Sequence, residues 1–131
     1  MSHLKNKSEI SIDAAELLHK NSLYPSVIHC SYYSCFQLMS HIWFSKLGKT
    51  EGELLSLKRT ATEGSHEVMI NQIGIHIRNL SFNYRDFNNQ IGQLKKLRHR
   101  ADYKDEQIDS TLSNDSINLS KLTLLILKKC L

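Results

Sequence analysis

The side chains of this chain that could do chemistry are concentrated in one short segment, KKLRHRADY at residues 95–103. Arg98 follows Leu94 by one helical turn, so it falls on an apolar stripe, where an unpaired guanidinium is costly to bury. Asp102, one turn further on, is its expected partner. Such an arginine either closes a helix-end ion pair or presents its planar donors to a phosphate or a nucleobase edge. The basic members of the segment are Lys95, Lys96, Arg98 and Arg100.

The histidines offer no second centre of chemistry. His29 and His41 would lie about 18 Å apart by rise on one helix, too far to share a metal within one chain. We interpret most of the set, which also includes His66, His76 and His99, as core-edge or surface histidines. The chain has no glycine-rich phosphate loop and no serine in a nucleophile elbow. We therefore expect neither a metal nor a cofactor.

The helix that must position this segment is predicted over residues 25–47, between Pro25, which suits a first helical turn, and Gly48, which suits a helix end. Its apolar residues cover most of its circumference, which is typical of a central helix with partners on more than one side. It carries too many polar residues for a membrane span. The predicted core positions on its main stripe are Tyr32, Phe36, Met39 and Trp43.

The rest of the chain predicts further helices and no strands. Residues 1–8 are expected to fray, and residues 49–64 to form a partly mobile connection that could hold a short helix around Leu54. The predicted helix starts are Ser11 or Asp13 for the first helix, Ser65 for the third, Asn83 for the fourth, and Asn114 or Asp115 for the last. We expect the third helix to bury Ile73, Ile77 and Leu80. The pattern indicates a single all-α domain over residues 1–131, an up-and-down bundle of four to five helices.

The amino-acid composition favours a helical fold but does not determine which molecule the protein binds. One proline and five glycines in 131 residues favour helices, and a formal charge of +4 with a pI near 9.0 permits a nucleic-acid partner. Cys30, Cys35 and Cys130 fit no zinc spacing, and we expect buried free thiols in a reducing cytoplasm. The first residues lack the apolar run of a signal peptide, so we expect a cytoplasmic protein without a membrane partner.

Three motifs, in this order, resemble the HEPN domain family and in particular its small standalone prokaryotic branch. They are CSYYSCF at 30–36, SHEVMINQIGIHI at 65–77 and LRHRADY at 97–103. That branch typically has a YYA-F core in a long helix, then an H-x-x-V/I helix, then L-x-x-L-R-x-x-A-D-Y. The resemblance spans residues 10–130 and implies a HEPN-like helical bundle, usually a homodimer, that acts on RNA or nucleotides.

Many HEPN proteins are metal-independent endoribonucleases of toxin–antitoxin and defence systems, and others are non-catalytic companions of small nucleotidyltransferases. In the nucleases an arginine and a following histidine act on the ribose 2′-hydroxyl and the phosphate. Here Arg98 matches the arginine, but Tyr103 stands where the histidine is expected, and His99 points about 100° away around the helix. Cys30 replaces an arginine common in this branch, and the spacing from Arg59 to His66 is interpreted as coincidence across a helix boundary.

The resemblance thus implies a site with Arg98 and Tyr103 in catalytic positions and a set of ligand-binding residues: Tyr32, Tyr33, His99 and Asp102. The expected function is nucleotide or RNA binding by a homodimeric toxin–antitoxin or defence module with a degenerate ribonuclease motif. One alternative is an active metal-independent endoribonuclease toxin with a nucleotidyltransferase antitoxin as partner. Another is a non-catalytic helical adaptor, in which Arg98 and Asp102 form only a clasp.

Overall fold

The computed structural model describes residues 2–131, and over this range the chain is helical with no strand. The elements are α1 (His3–Lys20), α2 (Tyr24–His41), a π-helical segment (Ile42–Lys46), α3 (Glu51–Thr60), α4 (Ser65–Asn79), α5 (Tyr84–Tyr103) and α6 (Ser110–Lys128). The all-α class is confirmed. The predicted count of four to five helices is too low, because the connection after Gly48 forms a helix of its own. None of the helices described is long and apolar enough to cross a membrane.

Helix α2 is the centre of the fold and packs against α1, α5 and α6. It begins with Pro25 in its first turn, continues through the π-helical segment, and ends where Gly48 adopts a φ of +64°. Tyr32, Met39 and Trp43 are buried as predicted. Phe36 is only partly buried, because its ring lies at the border between α2 and the first turn of α4, against His66.

Helix α1 begins at His3, so the predicted starts at Ser11 or Asp13 are wrong, and most of the segment expected to fray is helical. Its early turns are held by a reciprocal pair of bonds. The Ser8 hydroxyl donates to the Ser34 carbonyl at 2.6 Å, and the Ser34 hydroxyl donates to the Ser8 carbonyl at 2.7 Å. Both serines are buried, and the two bonds satisfy their hydroxyl groups at the contact between α1 and α2. Because serine side chains are small, the two helices can approach closely there.

Helix α6 also begins earlier than predicted. Asp109 caps it by accepting a bond from the Leu112 amide at 2.9 Å, so neither Asn114 nor Asp115 is the cap. The first turns of α6 are buried through serine side chains, and the Ser120 hydroxyl donates to the Ser31 carbonyl on α2 at 2.7 Å. Several buried positions of α6 are therefore serines, and a search for apolar residues at helical spacing does not identify them as buried.

The connection expected to be partly mobile contains helix α3. Thr50 caps it by accepting from the Glu53 amide at 3.1 Å, and Leu54 is buried against the core. Helix α4 begins at Ser65 as predicted and buries Ile73 and Ile77. Leu80 is exposed, however, because it lies past the end of the helix.

Helix α5 carries the chemically interesting segment and begins as predicted after Asn83, whose side chain accepts from the Asp86 amide at 3.0 Å. Arg98 completes its buried stripe. That stripe faces α2, and this packing brings the end of α5 against the tyrosine pair of the central helix.

The three cysteines are free thiols, as predicted. Cys35 and Cys130 are buried, whereas Cys30 is only partly buried, which corrects the expectation for that residue. Burial raises the pKa of Cys35 to about 12, so this thiol stays protonated near neutral pH and is a weak nucleophile.

Candidate anion-binding site

Arg98 is held against aromatic rings near the end of α5 and is only 9% exposed. Its guanidinium carbon lies 5.0 Å from the ring centroid of Tyr32, 5.6 Å from that of Tyr103 and 5.9 Å from that of Tyr33. These are cation–π distances, which offset part of the cost of burying the charge. Helix α2 supplies two of the rings, and the last turn of α5 supplies the third.

Asp102 is the carboxylate partner of Arg98, and the contact predicted from the one-turn spacing is observed. Its Oδ2 atom lies 3.6 Å from Nη1 of Arg98, and the same oxygen lies 3.0 Å from Nδ1 of His29 on α2. Nη1 of Arg98 also donates to the Tyr103 hydroxyl at 3.5 Å. Both contacts of Nη1 are longer than the 2.7–2.9 Å of a strong charge-assisted bond. The buried Nε of Arg98 has no hydrogen-bond partner within the described residues. The guanidinium therefore keeps donor capacity for an anion.

A cleft of about 650 Å³ opens beside Arg98. It is lined by Glu67, Gly92, Lys95, Lys96, Arg98, His99 and Arg100. Its one carboxylate, that of Glu67, is already bound to Nζ of Lys95 at 2.5 Å. Arg98 and Arg100 also pair with carboxylates outside the lining, those of Asp102 and Glu106, whereas Lys96 makes no ion pair within the described residues. The cleft therefore keeps a net positive charge, which suits an anionic ligand.

His66 supports the aromatic surface on which Arg98 rests. Its Nδ1 lies 2.9 Å from the Tyr32 hydroxyl, and its ring stacks on Phe36 at 4.4 Å between centroids. The pKa of His66 is lowered by burial and by the nearby charges of Arg98, Lys95 and Lys58. Burial raises the pKa of Tyr32. The phenol therefore keeps its proton, and it forms its hydrogen bond with an imidazole whose neutral form is favoured.

The structure brings most of the predicted site residues together. Tyr32, Tyr33, Asp102 and Tyr103 surround Arg98, but Tyr32 is fully buried and packs on the guanidinium without lining the open cleft. His99 points to a different side of α5 from Arg98. Both residues nevertheless line the cleft, because the cleft extends over both sides of the helix.

Sequence reasoning missed His29 and His66 as members of this site. His29 contacts Asp102, which lies 73 residues away in the sequence, and His66 contacts Tyr32, which lies 34 residues away. A spacing pattern within one helix cannot predict contacts between residues so far apart in the sequence. Arg59 and His66 lie in different helices, which agrees with the interpretation of their spacing as coincidence. Residues 2–131 contain no group of three or more His, Cys, Asp or Glu side chains arranged to hold a metal.

Comparison with protein-family models gives no match, and comparisons with curated proteins and with solved structures give none either.

Proposed function

We propose that this protein binds a nucleotide or an RNA strand through its phosphate in the cleft beside Arg98. The observation that carries the proposal is the state of the Arg98 guanidinium, which is almost buried, held by three tyrosines, and only loosely paired with Asp102. An arginine with a purely structural role would close on its carboxylate with no cavity beside it. Here a cationic cleft adjoins it, and a planar guanidinium matches a phosphate with two parallel bonds.

Aromatic exposure favours a ligand that also carries a base. Tyr103 is 67% exposed, and its ring lies 5.2 Å from that of His99, which lines the cleft. Unpaired bases stack on exposed aromatic side chains next to basic grooves, and this stacking tolerates different base identities. Inorganic phosphate or a carboxylate would leave these rings unused.

We extend the proposal to the family of the protein, its biological role and its protein partners. The motifs on α2, α4 and α5 support a HEPN-like protein, with Tyr103 in place of the motif histidine and a role in a toxin–antitoxin or defence module. Such a protein would act as a homodimer, with a nucleotidyltransferase-type protein as its partner. Leu122 and Leu125, exposed on α6, support a self-associating surface. Light scattering that finds only a 15.1 kDa species at micromolar concentration would contradict the dimer.

The binding proposal is tested by titrating a fluorescently labelled single-stranded RNA, and separately AMP, over a range of salt concentrations. Removing one phosphate contact should reduce the slope of log affinity against log salt by about 0.7 on a single strand, so Arg98→Ala should flatten it by that amount. Arg98→Lys should keep the slope but weaken binding, because lysine keeps the charge and loses the planar fork. Arg59→Ala, an exposed arginine on α3 outside the cleft lining, is the control.

Because Arg98 is buried, its variants are first compared with the wild type by circular dichroism. Lys96→Ala gives an independent arm, since Lys96 is exposed and lines the cleft. If Arg98→Lys and Lys96→Ala both bind with wild-type affinity and slope, the cleft is not the ligand site. In that case Arg98 and Asp102 act only as a clasp in a helical adaptor.

A further inference from the structure

A second cavity adjoins the cleft, in the groove between α5 and α6. Its volume is about 470 Å³, which is within the range of small-molecule pockets. Residues at helical spacing on both helices line it: Gln93, Lys96, Leu97 and Arg100 on α5, and Leu112, Asp115, Asn118, Leu119 and Leu122 on α6. Lys96 and Arg100 also line the cleft beside Arg98, so the groove and the cleft meet at these two side chains.

The chemistry of the groove suits a nucleobase better than a phosphate. Its leucines form an apolar surface on which the flat face of a base can pack. Asp115 is exposed and forms no side-chain hydrogen bond or ion pair within the described residues. This carboxylate would repel a phosphate, whereas a base can donate hydrogen bonds to it. Asn118, one turn further along α6, is also exposed, and its amide offers both a donor and an acceptor.

Among the RNA bases, guanine matches this set of groups. Its N1–H and its exocyclic N2 amino group are neighbouring donors that one carboxylate can accept together, and its O6 and N7 atoms accept from an amide. On their pairing edges, uracil has a ring N–H but no amino group, and adenine and cytosine have an amino group but no ring N–H beside it. Two parallel bonds to one carboxylate are therefore available only from guanine.

We propose that the groove between α5 and α6 is a guanine-binding subsite for a single-stranded RNA that also occupies the cleft beside Arg98. The inference rests on the proposed binding of RNA in that cleft and adds a base preference to it. Lys96 lines both cavities and forms no ion pair within the described residues. It can therefore bind the phosphate that links the nucleotide in the cleft to the guanine in the groove. A ligand that fills both cavities has at least two nucleotides.

Self-association of the protein does not require this groove. Residues 104–109 connect α5 directly to α6, so the two helices run antiparallel, and Leu122 lies at the end of the groove opposite to Arg100. Leu125 lies outside the groove lining. A second copy of the chain that packs on α6 around Leu125 can therefore leave the middle of the groove, with Asp115, open to a base.

The test compares three fluorescently labelled RNA pentamers, UUGUU, UUIUU and UUUUU, in which I is inosine. All of them carry the same number of phosphates, and inosine lacks only the 2-amino group of guanosine. The full chain should bind UUGUU at least about fivefold more tightly than UUUUU, which is the lower end of what one bidentate base contact provides. The inosine pentamer should lose most of this preference, because it cannot make the second bond to the carboxylate.

Asp115→Asn separates base recognition from charge. The substitution removes one negative charge, so a groove that contacts only phosphates should bind all of the pentamers equally well or more tightly. A guanine subsite should instead lose its preference for UUGUU, while binding of UUUUU does not weaken. Asp13→Asn, at an exposed position on α1 outside the groove lining, is the matched control and should keep the preference.

Equal affinity of the wild type for the three RNAs, or a guanine preference that persists in Asp115→Asn, would overturn this inference and leave the binding proposal standing. Leu122→Asp tests whether a second copy of the chain covers the groove. If this variant converts a dimer into a monomer and strengthens the binding of all pentamers alike, the groove belongs to the dimer interface, and the inference is also overturned. If the wild type binds none of the pentamers, the proposed function itself fails, and the guanine subsite fails with it.

Discussion

The Tyr32 hydroxyl lies 2.9 Å from Nδ1 of His66, and this contact connects the centre of α2 to the first turn of α4. The same tyrosine ring faces the guanidinium of Arg98 on α5 at 5.0 Å. One fully buried side chain therefore joins three helices at the edge of the candidate site. The orientation of the aromatic surface under Arg98 depends on a hydrogen bond made on its far side.

Tyr32→Phe should keep the aromatic contact with Arg98 and remove the bond to His66. We expect a loss of about 1 kcal/mol in the free energy of unfolding, because one net hydrogen bond disappears and an imidazole nitrogen loses its partner. Urea denaturation measures this difference. Tyr103→Phe removes a hydroxyl from a largely exposed residue and should cost less than about 0.5 kcal/mol. Equal losses in the two variants would contradict the role of the buried bond.

The stability of the fold should fall as the pH drops below neutral. Burial, together with nearby positive charges, lowers the pKa of His66, and burial together with Lys46 and Lys5 lowers that of His41. Each histidine then binds protons more readily in the unfolded chain, where its pKa is about 6.5. Their contribution is fully present above that value and is lost as the pH falls through the lower folded values.

This dependence is measured by urea denaturation at intervals from about pH 7.5 down to about pH 5, above the range where most carboxylates titrate. His66→Gln and His41→Gln should each flatten the profile in part, and the double variant should flatten it further. A profile that keeps its wild-type steepness in the double variant would show that other groups cause the pH dependence.

The helices that the sequence predicts well are those with apolar stripes. In α5 the spacing of Phe87, Ile91 and Leu94 fixes the buried face, and the next position on that face is Arg98. This continuity of the stripe is why the arginine could be placed on the apolar face, and why Asp102 could be named as its partner, without any knowledge of the fold.

The starts of α1 and α6 could not be predicted in the same way, because their buried positions are serines. Ser8 on α1 donates to the Ser34 carbonyl of α2, and Ser116 near the start of α6 donates to the Ser31 hydroxyl of α2. These partners on another helix are absent from any local pattern. The site shows the same limit. His29 and His66 reach it only when α2 packs against α5 and α4, and a spacing rule within one helix cannot detect such contacts.

Trp43 lies in the π-helical segment that continues α2, and it is almost completely buried. Trp43→Ala should lower the free energy of unfolding by about 3–5 kcal/mol, because apolar burial is removed and a cavity is left behind. That is a large part of the total stability of a small domain. Leu17→Ala, at a largely exposed position on α1, should change stability little. Melting within a few degrees of wild type for Trp43→Ala would contradict the central place of this helix in the core.

Replacing glycine with alanine should lower the stability of the protein at one position and raise it at another. Gly48 ends the central helix with a φ of +64°, a conformation that costs an L-residue roughly 1 kcal/mol or more, and no atom lies within 4 Å of the position where a Cβ would stand. Gly48→Ala should therefore destabilise the protein through its backbone alone. Gly92 lies inside α5, also with open space at its Cβ position, and Gly92→Ala should stabilise by about 0.5–1 kcal/mol, because alanine favours the helix. Thermal unfolding of both variants measures the two shifts. A Gly48→Ala variant as stable as the wild type or more stable would show that the turn does not require its left-handed backbone, and a destabilised Gly92→Ala variant would contradict the expected gain in helix propensity.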